Sequence, residues 1–240
     1  RDGGGIYTID ALAVGGEPRR VADRGILPKF SPDGRWIAYF VLPASLDLSR
    51  YKVFLVSPKG GEPRRILDDF NYRFVVQGAS LTWSPDGKHL LFRGQPADDP
   101  KSADWWVFPV DGGQAVRTHA IENLALTAIV QFPTAWTGNS VYYVSGTTIE
   151  GVNLFRAAID PKTKTITGPA SPITAGSGMK IFTDALPEAL ADGCLAAAFT
   201  RRTGSRRRRH LLLHEAAPLL AERAATGGIG SSTCSHRNGP

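Results

Sequence analysis

The chain has 240 residues, 42% of them hydrophobic and 21% charged, so it is long enough to bury a substantial core. It holds only two cysteines, which excludes a disulfide-rich fold, and no apolar stretch reaches the roughly 18 residues of a membrane-spanning helix. The net charge of +6 is unevenly placed, because residues 201–240 carry eight arginines against two glutamates. Residues 1–200 are balanced in charge.

An internal repeat is the strongest pattern in the chain. The hexapeptide Gly-Gly-Glu-Pro-Arg-Arg occurs at residues 15–20 and again at residues 60–65, and Ser-Pro-Asp-Gly follows each copy at residues 31–34 and 84–87. Self-similarity with a period of roughly 45 to 55 residues is typical of a structural unit that buries its apolar face only by stacking on copies of itself.

Each unit runs through an apolar stretch, a double glycine, a second apolar stretch and a tight turn, which predicts four short strands. The third unit is more degenerate and has Thr137-Gly138-Asn139 at the position of the turn. A fourth unit begins at residues 154–159, and residues 191–193 form a worn version of its turn.

The turns have a physical basis in their residue types. Proline fixes φ for the second turn position, aspartate can accept hydrogen bonds from neighbouring backbone N–H groups, and glycine tolerates the positive φ of a hairpin exit. We therefore predict antiparallel hairpins at residues 31–34, 84–87 and 137–139. The predicted turn residues are Pro32, Asp33, Gly34, Pro85, Asp86, Gly87 and Gly138.

The strands that follow the turns indicate how the units pack. Residues 36–41 and 90–92 are apolar at successive positions, so both faces of each strand should be covered. Four-stranded units with this period favour a β-propeller, whose blades stack around a central channel. The predicted fold is all-β, with about three and a half to four blades of four antiparallel strands. Since propellers typically have four to eight blades, we expect a fragment of a larger propeller, the alternative being a complete four-bladed domain.

The segments Phe30–Tyr39 and Trp83–Phe92 carry a family resemblance. With the strands that precede them, they resemble the TolB-type, WD-repeat-related propeller repeats of bacterial proteins, over about residues 6–200. Such repeats occur in the periplasmic TolB protein, in prolyl-oligopeptidase-like serine peptidases, and beside bacterial kinase and winged-helix domains. The resemblance implies a recognition role and is compatible with a periplasmic or extracytoplasmic location, without selecting among these parents.

The last segment departs from the repeat. We expect propeller blades over 1–200 and a basic tail over 201–240 that is disordered or not native propeller sequence, for example through a shifted reading frame. Its run Arg206–Arg209 precedes a Leu/Ala-rich stretch at residues 211–225 that could form a short helix. Basic runs can bind phosphates, but residues 201–240 contain no aromatic side chain to stack on bases, so a nucleic-acid partner is not favoured.

No motif supplies enzyme chemistry. The chain lacks a Gly-x-Ser-x-Gly nucleophile elbow, a phosphate-binding Gly-Lys-Ser/Thr loop and a kinase His-Arg-Asp element, so we expect no catalytic residue and no cofactor. His210, His214, Cys234 and His236 do not have the spacing of a zinc site, and we predict no bound metal. Cys194 and Cys234 are two free thiols or one disulfide, between which their spacing does not decide.

Two loops are candidate binding sites. Asp98, Asp99 and Asp104 crowd a loop beside two tryptophans, where they could bind a cation or a peptide; Tyr72 and Arg73 lie in the longer loop of the second unit. The alternative for the acidic loop is a solvated hairpin connection. We predict a non-catalytic propeller that binds a protein or peptide through its loops. The alternative function is the substrate-filtering propeller of a prolyl-oligopeptidase-like serine peptidase whose catalytic domain lies outside this chain.

Overall fold

The computed structural model describes residues 5–8, 18–41, 51–71, 81–99, 101–127, 130–147 and 152–175, and the backbone of short strands between residues 180 and 207. In this part of the chain the regular elements are strands, apart from one single-turn helix at Ala120–Asn123 (α1). The all-β class predicted from the sequence is confirmed. Tyr72, Arg73, both cysteines and residues 208–240 lie outside the described residues.

A pair of strands and a complete four-stranded sheet come first. Strands β1 and β2 pair with each other, and β3 to β6 form an antiparallel sheet in sequence order, which we call blade 1. The bounds are β1 Ile6–Thr8, β2 Arg19–Ala22, β3 Ile26–Phe30, β4 Ile37–Val41, β5 Lys52–Val56 and β6 Arg64–Ile66. The hexapeptide copies run into β2 and β6, so the leading pair occupies the third and fourth strand positions of a blade.

Blade 2 repeats this arrangement with a divided first strand. Strands β7 and β8 both pair with β9 and together occupy the first-strand position, and β9, β10 and β11 complete the antiparallel blade. The bounds are β7 Phe70–Asn71, β8 Thr82–Trp83, β9 His89–Pro96, β10 Asp104–Pro109 and β11 Val116–Arg117. Strand β9 has eight residues, of which residues 90–91 pair with β8 and residues 95–96 pair with β7.

Blade 3 is again a four-stranded antiparallel sheet in sequence order, β12 to β15. Beyond it, β16 pairs with β19, β19 with β20, and β17 with β18. The bounds are β12 Val130–Thr137, β13 Ser140–Gly146, β14 Asn153–Ile159, β15 Ile166–Pro172, β16 Lys180–Phe182, β17 Glu188–Ala189, β18 Leu195–Ala196, β19 Phe199–Thr203 and β20 Arg206–Arg207. Strand β19 crosses the boundary predicted at residue 200, and the division there stays a prediction.

Side chains that alternate along each strand pack into different interfaces. Ile37 and Tyr39 of β4 pack against Ile6 and Val21 of the leading pair. Their neighbours in β4 pack instead against blade 2, in a cluster that includes Ala38, Phe40, Val53, Leu55, Leu90 and Phe92. Blades 2 and 3 share the next cluster, which includes Leu91, Trp105, Val107, Val141, Tyr143 and Ile159. This explains the uninterrupted apolar runs, because both faces of a blade are buried against neighbouring blades.

The first strands of successive blades are in direct contact. Trp83 of β8 donates an indole N–H hydrogen bond to the Lys29 carbonyl of β3, at 3.0 Å. Thr82 Oγ1 lies 3.5 Å from the Pro133 carbonyl of β12. First strands that meet in this way occupy the inner edge of the blades, as expected of a β-propeller.

Each blade has two ends with different connections. The hairpins between first and second strands and between third and fourth strands form one end, which we call the turn face. The connections between second and third strands, and from each blade to the next, form the opposite end, which we call the loop face. The loop face holds the described candidate residues Asp98, Asp99 and Asp104, and loops on a rigid scaffold are where propellers and other repeat folds usually bind partners.

Candidate binding surface

Two loops of blade 2 meet at the loop face. Strand β7 pairs with the end of β9, with Phe70 opposite Pro96 and Asn71 opposite Gln95. The backbone N–H of Ala97 then donates a hydrogen bond to the Asp69 carbonyl at 2.7 Å. Residues 67–71, 96–99 and 101–103 therefore form one surface, which we call the loop platform.

An aromatic side chain fastens β7 to the blade. The Phe70 ring makes edge-to-face contacts with Phe92 and Trp106, at centroid distances of 5.2 and 5.1 Å. Leu67, which has φ of 59°, is buried and accepts a hydrogen bond from the Phe70 N–H at 3.2 Å. Edge-to-face aromatic pairs hold a fixed geometry, so the loop platform has a packed underside.

The inner strand of blade 2 is interrupted. Strands β7 and β8 pair with the same edge of β9, and only residues 92–94 of β9 separate the two pairings. Ten residues of the chain, 72–81, lie between β7 and β8. Because a strand crossing this interval would need only about as many residues as β9 uses, the chain is longer here than the sheet requires. Tyr72 and Arg73 directly follow β7 but lie outside the described residues.

Asp98 and Asp99 lie in the second half of the loop platform. Both residues are exposed to solvent. The Asp99 carboxylate accepts a hydrogen bond from the Lys101 N–H at 3.2 Å, and its carbonyl accepts hydrogen bonds from the N–H and Oγ of Ser102 at 3.1 and 3.0 Å. These local bonds give the turn a defined conformation. The loop that contains Asp98 and Asp99 is therefore solvent-exposed and acidic, and its turn has a defined conformation.

Asp104 has a different role from its two neighbours. Its side chain is fully buried and accepts hydrogen bonds from Arg117 Nε at 2.7 Å, from the Trp105 N–H at 2.7 Å and from the Ile121 N–H at 3.2 Å. A buried carboxylate with a cationic partner and two backbone donors is well satisfied. Asp104 therefore ties β10 to β11 and α1 beneath the loop face, and the solvent-facing carboxylates are those of Asp98 and Asp99.

Sequence reasoning missed two features of the loop face. Strand β7 has a two-residue pattern that carries no strand signal, and α1 spans a single turn with Ala120 buried. The helix region joins blades 2 and 3, because Asn123 Nδ2 donates to the Ile166 carbonyl at 2.7 Å and the Ile166 N–H donates to the Thr118 carbonyl at 2.8 Å. The only sequence signal for β7 was the unusual length of the connection after the second hexapeptide.

The turn face is built from the repeated tetrapeptide. Ser31 Oγ donates to Asp33 Oδ1 at 2.6 Å, and Arg35 donates to the same carboxylate through its backbone N–H and through Nε, at 3.1 and 2.6 Å. These hydrogen bonds, that of Ser31 foremost, lower the pKa of Asp33 to about 2. Gly34 and the corresponding Gly87 have φ of 70° and 68°. Gly138 has φ of 50° in the shorter turn of blade 3.

The second tetrapeptide repeats this bonding. Ser84 Oγ donates to Asp86 Oδ1 at 2.5 Å, the Lys88 N–H donates to the same oxygen at 3.0 Å, and the His89 N–H donates to Ser84 Oγ at 2.9 Å. Burial acts to raise the pKa of Asp86, but these hydrogen bonds and the nearby His89 outweigh it and the pKa is lowered. The carboxylates of the turn face are therefore engaged in the turns themselves.

Among the described residues, no group of three or more His, Cys, Asp or Glu side chains is arranged to hold a metal ion. No helix of the described residues is long and apolar enough to cross a bilayer. His210, His214, Cys234 and His236 are not among these residues.

No protein-family model matches the chain, and no curated protein matches it. Among solved structures, TolB from Acinetobacter baumannii is similar at 18% identity with a TM-score of 0.54, over 80% of this chain and 42% of that one. Two others have TM-scores below 0.5. Prolyl oligopeptidase B from Galerina marginata matches at 15% identity and TM-score 0.48, over 79% of this chain and 29% of that one. The β-propeller domain of the Trilobed protease from Pyrococcus furiosus matches at 13% identity and TM-score 0.44, over 82% of this chain and 60% of that one.

The match to TolB covers the greater part of this chain, which itself spans less than half of the TolB chain. At this level of identity the similarity concerns the fold. It agrees with the stacked four-stranded blades, the interfaces on both faces of each blade and the contacts between their first strands. The chain has a β-propeller fold and is similar in this fold to TolB.

Proposed function

We propose that this chain is a non-catalytic β-propeller scaffold that binds a protein or peptide through the loop platform of blade 2. The observation that carries the proposal is the departure of blade 2 from the regular blade. The inner strand of blade 2 is divided into β7 and β8, with residues 72–81 between them, whereas the inner strand of blade 3, β12, is a single strand. In repeat proteins the regular part supplies the scaffold, and additions on one face supply the binding surface.

The exposed charges of the loop platform favour a basic partner segment. Asp69, Asp98 and Asp99 are exposed, and Lys101 is the cation among the described residues of the loop platform. Asp68 is also exposed but pairs with Arg65. Rim charges of one sign steer association with a partner of opposite charge and make the association rate sensitive to salt.

The support beneath the loop platform favours binding with little rearrangement. Phe70 packs against two aromatic rings, and the buried Asp104 fixes the start of β10 directly after the loop. A surface held in one conformation loses less conformational entropy when a partner binds. The loop platform is thus suited to recognition, and its described residues include no group of three or more side chains arranged to hold a metal ion.

A displayed peptide library tests the proposed binding. We expect peptides selected by the wild-type chain to be rich in Lys and Arg, and to lose about twofold to thirtyfold in affinity against the double variant Asp98→Asn, Asp99→Asn, since exposed ion pairs contribute about 0.2–1 kcal/mol each. The matched control is Asp111→Asn with Asp160→Asn, which removes two carboxylates from the turn face. Equal losses in both variants would contradict a site on the loop platform.

The non-catalytic part of the proposal has a separate test. We expect no covalent labelling by a fluorophosphonate probe, which reacts with activated serine nucleophiles, and no peptide hydrolysis by the purified chain. A labelled serine whose replacement by alanine abolishes turnover would overturn this part and leave the binding proposal standing.

We also propose that these blades belong to a larger propeller, which the parent reading frame on both sides would test directly.

A further inference from the structure

The two arginines of the repeated hexapeptide make different contacts, and they do so identically in both copies. The first arginine, Arg19 or Arg64, donates a hydrogen bond from its guanidinium to a backbone carbonyl of the following blade, that of Pro58 or Val110. Pro58 and Val110 occupy equivalent positions, each two residues before the double glycine in the turn that follows the third strand. The contact is therefore repeated from blade to blade.

The second arginine stays within its own unit. Arg20 forms an ion pair with Asp23 at 3.4 Å, and Arg65 forms one with Asp68, so each is bonded to an aspartate three residues further along the chain. Adjacent arginines of one strand point to opposite faces of the sheet, because side chains alternate along a strand. One face of the outer strand is thus directed to the next blade and the other is not.

The first arginine is well suited to hold a carbonyl across a blade interface. Arg64 also lies over the Trp36 ring, 5.7 Å from the centroid, so its guanidinium is held between an aromatic face of blade 1 and an acceptor of blade 2. A planar guanidinium can stack on a ring and donate a hydrogen bond at the same time, which a lysine ammonium does less well. Val110 itself is part of the apolar cluster between the two blades.

We propose that the first arginine of each hexapeptide is an inter-blade latch, which holds the third-to-fourth-strand turn of the following blade and fixes the position of one blade against the next at the outer edge. Blade 2 supports this proposal, because its outer strand lacks the first arginine and its contact to the next blade is different. Val116 occupies the position of Arg64 in blade 2 and is 42% exposed. There the next blade is joined instead through Asn123 and Thr118, which bond to Ile166.

Hydrogen exchange of the full chain, read by mass spectrometry, tests the latch. We expect Arg64→Ala to accelerate exchange at residues 110–113 by about tenfold while leaving residues 57–60 unchanged, and Arg19→Ala to have the reverse effect, because each removes one charge-assisted hydrogen bond to a single turn. Arg64→Lys should fall between wild type and Arg64→Ala, since it keeps the charge and loses the stacked fork.

The matched controls are Arg65→Ala and Arg20→Ala, which remove the neighbouring arginine of the same strand. Neither should change exchange at residues 110–113 or 57–60. If Arg65→Ala accelerates the turn at residues 110–113 as much as Arg64→Ala does, or if Arg64→Ala changes nothing there, the latch is refuted. Peptide binding by the loop platform is measured separately, so failure of the latch and failure of the proposed function are distinguishable.

Discussion

Asp33 shows how one residue of the repeat links sequence to stability. Its carboxylate accepts hydrogen bonds from Ser31 and from Arg35, and its pKa is about 2 rather than the ordinary 3.8. The folded protein therefore binds this proton less readily than the unfolded chain does, so the stabilisation is present above the ordinary pKa and is lost as the pH falls from 3.8 toward 2.

This shift gives a measurable pH dependence. We expect urea unfolding of the wild type to show a free energy that decreases between pH 4 and pH 2, and Asp33→Asn to make this decrease smaller, the remainder coming from carboxylates such as Asp86 whose pKa is also lowered. Asp98→Asn, which changes an exposed carboxylate of the loop platform, is the control and should leave the slope as in the wild type. A profile unchanged by Asp33→Asn would show that the turn does not hold its carboxylate ionised.

The two turn glycines should differ in their tolerance of a side chain. Both have positive φ, but a Cβ on Gly34 would meet open space, whereas one on Gly87 would lie 2.9 Å from Asp33 Cγ in the neighbouring blade. We expect Gly34→Ala to lower the free energy of unfolding by about 1–2 kcal/mol, the ordinary cost of this backbone region, and Gly87→Ala to lower it further. Thermal and urea unfolding of both variants would check the order, and a smaller effect at Gly87 would contradict it.

The sequence predicted the conformation of the turns because that conformation depends on residues close together in the chain. Proline, aspartate and glycine act within four residues, so Ser-Pro-Asp-Gly specifies a turn wherever it occurs. The contact between Gly87 and Asp33 was not readable, since it joins turns of different blades. Asp104 likewise gave no sign of its burial, because its partners Arg117 and Ile121 are brought to it only by the blade and its helix.

At the scale of elements, β7 depends on one side chain. Phe70 is partly buried against Phe92 and Trp106, and it is the main apolar contact of a two-residue strand. We expect Phe70→Ala to reduce the free energy of unfolding by about 2 kcal/mol and to accelerate hydrogen exchange of residues 95–97. Phe30→Ala is the control, because the Phe30 side chain is 56% exposed and should matter little. Unchanged exchange at residues 95–97 would show that β7 is held by other contacts.

The pattern of apolar residues in the sequence predicted the regular strands, but it did not predict β7. Apolar runs such as residues 36–41 are explained by burial on both faces, which any stacked sheet imposes. Strand β7 forms because the end of β9 offers unpaired backbone groups and an aromatic pocket, and both arise from tertiary structure. Short elements of this kind have too few residues for a pattern.

At the scale of the whole molecule, each blade interface has its own apolar cluster. Ile37 belongs to the cluster between the leading pair and blade 1, and Ile159 to the cluster between blades 2 and 3. In a repeat protein, stability is approximately a sum of unit and neighbour terms. We expect Ile37→Val and Ile159→Val to cost about 1 kcal/mol each and to add within about 0.5 kcal/mol in the double variant.

The control for this additivity is a pair of substitutions within one apolar cluster. Ile159 and Ile166 share the interface between blades 2 and 3, so Ile159→Val with Ile166→Val should depart from a simple sum. Chemical unfolding of the single and double variants measures both cases. Strong coupling between Ile37 and Ile159 would contradict independent interfaces.

The interruption between β7 and β8 also bears on how such a chain can diversify. Strand β9 holds each segment by its own backbone pairs, Phe70 and Asn71 at one end and Thr82 and Trp83 at the other. The number and kind of residues between them is not set by these pairs, and closing a longer connection costs only slowly more entropy. Residues 72–81 are thus a natural insertion point, where new sequence can be acquired without altering the blade. One scaffold of this type can in this way give rise to descendants with different specificities.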